Sequence, residues 1–367
     1  MHFSSLLLSA VTFSGVFAAP AANADPAPNE RGVSVNRKRS NFWFAGVNES
    51  GAEFGNTNLP GTKGTDYTWP LTSSVDTLMG KGFNIFRIPF LMERLVPGSM
   101  TGGVNAAYLA DMQALVSHIT GKGGYAAICA QNFGRYYGNV ITDTDGFKSF
   151  WQTVATQFKS DSHVIFDTNN EYHDMDNTLV GNLNQAAING IRAAGATAQT
   201  IFVEGNSYTG AWTWVSSGTD TAMAALTDPN SNIIYEMHQY LDSDGSGTSS
   251  DCVSTSIGVE RLQAATAWCK SNGKNCILGE TAGGSNSQCI SALSNMLSYM
   301  KSNNDVWRGW LLWGGGPWWG TAVWNTIYWC CAIDYSVHLK RFVEIVSARL
   351  HGYLTLSQGS LLESGAF

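Results

Sequence analysis

Charge is scarce in this sequence. Only 13% of its 367 residues are Asp, Glu, Lys or Arg, against 44% hydrophobic residues. That composition excludes a disordered chain and supplies a large core. Positive charge is scarcer still: the formal net charge is −7, and residues 1–39 contribute +2 to it (Asp25 and Glu30 against Arg31, Arg37, Lys38 and Arg39), which leaves −9 for the remainder. Such a surface opposes nucleic acid and anionic membrane as partners. No His-Glu-x-x-His pair and no Cys/His cluster at metal-ligand spacing occurs, so neither a metal nor another cofactor is expected. A Gly-x-Ser-x-Gly elbow is missing, which removes the matching serine acyl chemistry. Residues 6–19 are apolar but too few to cross a bilayer, and no later stretch reads as a membrane span.

That apolar stretch ends in Phe17-Ala18-Ala19 and reads as a secretory signal peptide, residues 1–19. Residues 20–39 read as a propeptide closed by Arg37-Lys38-Arg39. The expected product starts near Ser40 and is secreted, soluble and monomeric. Secretion permits disulfides. Of the seven cysteines, Cys269 and Cys276 flank a short helix-to-strand turn, and Cys252 and Cys289 bracket that unit. Both pairs are candidates for bridges, which spacing alone does not decide. Cys129, Cys330 and Cys331 remain.

Eight strand-like runs recur, at residues 42–47, 84–90, 125–132, 164–171, 199–205, 233–240, 276–282 and 307–314. Helical patterns fall between several of them, at 104–120, 145–158, 179–194, 258–270 and 289–301. Strand and helix alternating at this period predict an α/β protein, a (β/α)8 TIM barrel formed by residues 40–320 as one catalytic domain. The competing doubly wound sheet calls for a Gly-rich phosphate turn after the first strand, and Gly46-Val-Asn-Glu-Ser-Gly51 matches it poorly.

In a barrel, chemistry sits at the C-terminal strand ends. The fourth run delivers Asn170 and Glu171 there, and the seventh delivers Glu280. Two carboxyls facing each other across a barrel mouth suit retaining glycoside hydrolysis, which needs them about 5–5.5 Å apart. Arg87 is a charge inside an apolar strand and requires a buried partner; Glu280 is the expected one, which would keep it ionised. His238 and Tyr240 are two residues apart and share a strand face, with Tyr240 expected to donate to Glu280 and His238 to lie near Glu171. Glu236, one layer deeper, reads as part of a core ion pair. Asn170 is placed to bond a sugar 2-hydroxyl, and Trp313 to stack on a sugar ring. Trp212, Trp214, Trp318 and Trp319 lie on loops beyond the fifth and eighth strands, where they can line outer subsites; the 13 Trp and 13 Tyr are also ordinary core material.

On these residues the chain resembles glycoside hydrolase family 5, in particular its fungal secreted endoglucanases of subfamily 5. The matching segments are Phe86-Arg-Ile-Pro-Phe-Leu-Met-Glu-Arg-Leu95, Asn132-Phe-Gly-Arg-Tyr136, Phe166-Asp-Thr-Asn-Asn-Glu-Tyr-His-Asp-Met175, Ile201-Phe-Val-Glu-Gly-Asn206, Tyr235-Glu-Met-His-Gln-Tyr-Leu-Asp-Ser-Asp244, Gly279-Glu280 and Gly316-Pro-Trp-Trp-Gly320. The resemblance implies a retaining endo-β-1,4-glucanase acting on cellulose and related β-glucans, with Glu171 as acid/base and Glu280 as nucleophile. It places Arg87, Asn170, His238, Tyr240 and Trp313 on the family's other active-site positions. A β-mannanase or mixed-linkage glucanase, or a catalytically impaired carbohydrate-binding paralogue, are the alternatives.

Two departures stand out. The family's third strand ends in an Asp-Pro-His-Asn run, whereas this chain has Cys129-Ala-Gln131-Asn132. Gln131 can bond a sugar hydroxyl but carries no proton, so weakened binding of the sugar being cleaved is expected, with Asn132 retained. After Gly320 the resemblance stops. Residues 321–367 place Leu339, Phe342, Val343, Val346 and Leu350 at helical spacing, either a closing helix or the product of an altered reading frame.

Overall fold

The computed structural model describes residues 43–318. The expected signal peptide and propeptide, the tail at 321–367, Trp319, Cys330 and Cys331 lie outside the described residues. Eight parallel strands close into a barrel. They are β1 Phe44–Glu49, β2 Ile85–Phe90, β3 Tyr125–Ala130, β4 Val164–Asp167, β5 Ile201–Glu204, β6 Ile233–His238, β7 Cys276–Glu280 and β8 Trp307–Gly315. The strands are continuous apolar runs such as Val-Ile-Phe and Ile-Phe-Val because both faces are covered, one by the barrel interior and one by helices.

Among the described residues, seven helices of six residues or more lie between them, besides a single turn at Met92–Leu95: α1 Thr72–Met79, α2 Ala106–Thr120, α3 Thr144–Phe158, α4 Asn177–Ala193, α5 Thr219–Ala224, α6 Ile257–Ser271 and α7 Ser287–Ser302. Asn105, Asp143, Asp176 and Asn286 cap the second, third, fourth and seventh, each side chain accepting from a backbone N–H of the first turn. The helices absent from the sequence reading, α1 and α5, lack that signal: neither has a capping side chain, and α5 follows Gly218 at φ 76°. A small hairpin, Arg135–Tyr136 with Asn139–Val140, stands above the third strand's end.

Phe44, Ile85, Ala127, Ile165, Phe202, Ile234, Ile277 and Leu311, one from each strand, form an apolar cluster of their own. Two residues further along, side chains return to the same face of a strand. There the sequence turns polar: Arg87, Cys129, Asp167, Glu204 and Glu236 are all buried. This apolar floor beneath a polar layer positions everything that follows. Both candidate bridges form, Cys252–Cys289 and Cys269–Cys276, while Cys129 is a buried free thiol.

Candidate active site

Arg87 is the hub of the polar layer. Its Nε donates to Asp167 Oδ2 (2.6 Å) and lies 3.1 Å from Glu236 Oε1. Nη1 donates to Asn48 Oδ1 (2.9 Å) and Glu280 Oε1 (2.8 Å). Nη2 donates to Asn170 Oδ1 and Glu204 Oε1, both at 2.8 Å, and touches Cys129 Sγ at 2.9 Å. The expected pairing with Glu280 is present, but it is one of four carboxylate contacts. A planar five-donor group is the side chain able to satisfy so many partners from one position.

Glu280 closes β7 with its side chain 4% exposed. One oxygen accepts from Arg87 and the other from Tyr240 Oη at 2.8 Å. Burial pushes its pKa up to about 7; His238, Arg87 and Tyr240 pull against that, and Glu171 adds to it. Beneath it, Gly279 is required by its neighbour: a Cβ there would sit 1.7 Å from Glu236 Oε1.

Glu171 follows β4 in a left-handed backbone conformation, φ 47°, uncommon for a residue with a Cβ. Its carboxyl is 17% exposed and meets His238 Nδ1 at 2.7 Å. The other ring nitrogen of His238 lies 3.3 Å from Glu236 Oε1, and Nδ1 is also 3.5 Å from Glu280 Oε2. Single oxygens of Glu171 and Glu280 lie within 4.8 Å of each other and of the His238 ring. Burial opposes protonation of His238, but Glu280, Glu204, Glu171 and Glu236 outweigh it and hold its pKa well above the ordinary imidazole value.

Deeper in the layer, burial and Glu236 push Asp167 up to about 6. Burial also pushes Glu236 up, yet Arg87 and His238 reverse the sign and its net shift is downward. Asp167 Oδ1 and Glu236 Oε2 each lack a donor among the described residues, which one proton held between the two carboxyls would supply. Glu236 is thus the core ion-pair member its position in β6 predicted.

The remaining predicted contacts divide. Asn170 spends its oxygen on Arg87 and leaves Nδ2 without a partner among the described residues, as a sugar-binding amide would. Asn132 differs from expectation: its Oδ1 accepts from Met92 N, and Nδ2 donates to Glu93 and to the Arg135 carbonyl, so both donors brace the loop and none is left for substrate. Gln131 is half-buried, with Oε1 3.9 Å from Cys129 Sγ. Trp313 is half-buried and packs against the main core. A cleft of about 470 Å³ is lined by Glu171, His238, Tyr240, Tyr208, Trp212 and Asp244, among others. Trp212 is 48% exposed and carries the Arg261 guanidinium 4.2 Å from its ring centre; Trp318 is 39% exposed and lies outside that cleft. Trp214 is core, at 1% exposure. Sequence reasoning gave neither Glu204 nor Asp167 a role in the layer; the signal available for both was an acidic residue closing an apolar run.

Residues 47–316 match the family "Cellulase (glycosyl hydrolase family 5)". A "Probable endo-beta-1,4-glucanase B" of Neosartorya fischeri is 56% identical over 325 residues, covering 89% of this chain and 94% of its own. "Endoglucanase gh5-1" of Neurospora crassa is 57% identical over 77% of this chain and 72% of its own. Among solved structures, an endo-beta-1,4-glucanase from Xanthomonas axonopodis pv. citri superposes with a TM-score of 0.79 at 37% identity, covering 85% of this chain and 99% of its own. XacCel5A, solved with cellopentaose, gives 0.74 at 38% identity over 76% of this chain and 91% of that one.

Proposed function

The chain belongs to glycosyl hydrolase family 5, and on that premise we propose that it is a secreted endo-β-1,4-glucanase working by double displacement, with Glu171 as acid/base and Glu280 as nucleophile. One observation supports double displacement. Oxygens of the two carboxyls lie within 4.8 Å, close to the roughly 5–5.5 Å of retaining enzymes and short of the roughly 6.5–9.5 Å that leaves room for water in inverting ones.

Glu280, oriented by Arg87 and Tyr240, attacks the anomeric carbon while Glu171 gives its proton to the departing glycosidic oxygen. The C–O bond breaks, the leaving chain departs as an alcohol, and a glycosyl ester of Glu280 remains. Glu171, now a carboxylate beside His238, takes a proton from water as that water attacks the anomeric carbon. The ester bond breaks, Glu280 is released, and the configuration is retained. Asn170 Nδ2 supports the reading as a donor for the 2-hydroxyl, and Trp212 as a platform on the cleft wall. The substrate class is a β-glucan. No helix among the described residues is long and apolar enough to cross a membrane.

The test is to incubate residues 40–367 with cellopentaose and follow product anomers by proton NMR beside a Glu280→Gln control. Initial β-anomer, abolished in the control, is expected. Initial α-anomer would overturn the nucleophile assignment, and binding without turnover would make the protein an impaired binder. A mannopentaose arm decides between glucan and mannan.

A further inference from the structure

Glu204 closes β5 and is fully buried, yet no step of the reaction above uses it. Its two oxygens go to two different places. Oε1 accepts from Arg87 Nη2 at 2.8 Å, and Oε2 accepts from the backbone N–H of Glu171 at 2.7 Å. The second contact falls on a residue whose φ of 47° is uncommon without glycine. Such a conformation costs of order 1–3 kcal/mol and persists only where the surroundings over-determine it. On its C-terminal side the same turn is held by Tyr208 N donating to the Tyr172 carbonyl at 3.0 Å. At Glu171 itself, the backbone N–H is held by the carboxylate of Glu204.

We propose that Glu204 is a positioning residue for the general acid: its carboxylate grips the left-handed backbone of Glu171 and aims that side chain at the leaving-group oxygen. The bond is charge-assisted: both oxygens of Glu204 accept, one of them from the Arg87 guanidinium, as those of an ionised carboxylate do. The other oxygen anchors the grip to Arg87, which is itself held by Asp167, Asn48 and Glu280. Glu171 is thereby tied through one side chain to the group that orients the nucleophile, so the two carboxyls keep a common frame. A glutamine of the same shape cannot reproduce this: one of its two ends is an N–H donor and would confront either Arg87 or the Glu171 amide.

This inference rests on Glu171 being the acid, and the experiment separates the two. It compares kcat/KM for two β-cellotriosides, one with a phenyl leaving group that needs protonation and one with a dinitrophenyl group that departs without it. Because kcat/KM reports the steps through leaving-group departure, the second chemical step does not interfere. For Glu204→Gln we expect a loss on the order of 10²-fold on the phenyl substrate and within about threefold on the dinitrophenyl one. Equal losses on both would overturn the proposal, because damage routed through Arg87 to the nucleophile, or general loosening, spares neither substrate. No loss on either would overturn it as well. Glu204→Asp, which keeps the charge beside Arg87 but withdraws it from the amide, decides in the same way if the glutamine variant does not fold. Failure of both to fold assigns Glu204 to the scaffold and overturns the proposal. Glu171→Gln is the reference: if it shows no leaving-group dependence, the acid assignment itself fails, independently of Glu204.

Discussion

His238 Nδ1 stands 2.7 Å from Glu171 Oε1, while its Nε2 stands 3.3 Å from Glu236 Oε1. Glu236 accepts as a carboxylate, and Glu171 does so once it has given its proton to the leaving group, so in that form the ring satisfies both only as an imidazolium with two N–H groups. The raised pKa of His238 agrees with that geometry. The acid/base carboxyl therefore sits against a fixed positive charge whose far side is braced by Glu236.

Stability should fall as pH rises. His238, Asp167 (about 6), Glu280 (about 7) and Glu53 (about 7) all have folded pKa values above their ordinary ones. The fold holds protons that the unfolded chain has released, and stability declines wherever that is so. For the carboxyls, the contribution is complete below about 4 and is lost as pH passes through the folded values near 6–7. For His238 it is complete below 6.5 and is lost above it. Calorimetry should find Tm falling between pH ~5 and ~8, with His238→Gln flattening the alkaline part of the slope. A Tm that climbs over that interval contradicts the protonation states argued above.

Tyr240→Phe should move the acid limb of kcat/KM to higher pH. Its hydroxyl donates to Glu280 Oε2 and lowers that carboxyl's pKa. Removing the donor leaves burial less opposed, so Glu280 holds its proton longer, and a shift of about one unit corresponds to one such bond. Glu171→Gln, assayed on a dinitrophenyl cellotrioside, should move the limb the opposite way, because the Glu171 charge is among the influences raising Glu280. Limbs that stay fixed in both variants would show that another group controls the acid side.

Arg87→Lys should be nearly inactive and less stable. The guanidinium serves four carboxyls and two amide oxygens from within the barrel. An ammonium has three donors and no fork, so some of those carboxyls would remain buried without a cation. Breaking a buried ion pair costs about 3–5 kcal/mol, and activity should drop by at least ~10²-fold because Glu280 loses its orienting contact. Thermal melts read beside kcat check both, and a variant of wild-type Tm would show that the network tolerates the missing donors.

What was legible in the sequence followed the strand period. Glu171 and Glu280 stood out because each closes an apolar run, and Arg87 because it interrupts one. His238 and Tyr240 were two residues apart and did come to one site, beside Glu171 and Glu280 respectively. Backbone conformation leaves no such trace: nothing in Asn-Asn-Glu announces φ 47° at Glu171, so the need for Glu204 was invisible. Asn132 misled for a related reason. An amide at a strand end suits a sugar as well as it suits a loop, and only the positions of Met92 N, Glu93 and the Arg135 carbonyl show where its hydrogen bonds go. The helices α1 and α5 were missed because they run to only 8 and 6 residues, too few for a helical period to show.

Gln131 tests how much of the site this chain has given up. The residue stands where the resembling family carries histidine, and in the fold its amide oxygen lies 3.9 Å from the Cys129 thiol, a weak donor. So loosely held an amide must be ordered by the substrate at an entropic cost that a ring with fewer rotatable bonds avoids. Gln131→His should therefore raise kcat/KM on cellopentaose by about 2–10-fold, the worth of one hydrogen bond of roughly 0.5–1.5 kcal/mol, mainly through KM. Gln131→Ala should lower it by no more than a similar factor, because Glu171, Glu280 and Arg87 do not touch the side chain among the contacts described. Steady-state kinetics on the two variants decides between a peripheral and a central role. A complete loss in the alanine variant would mean that the glutamine has taken over the histidine's part in the chemistry, rather than diluting its grip on the sugar.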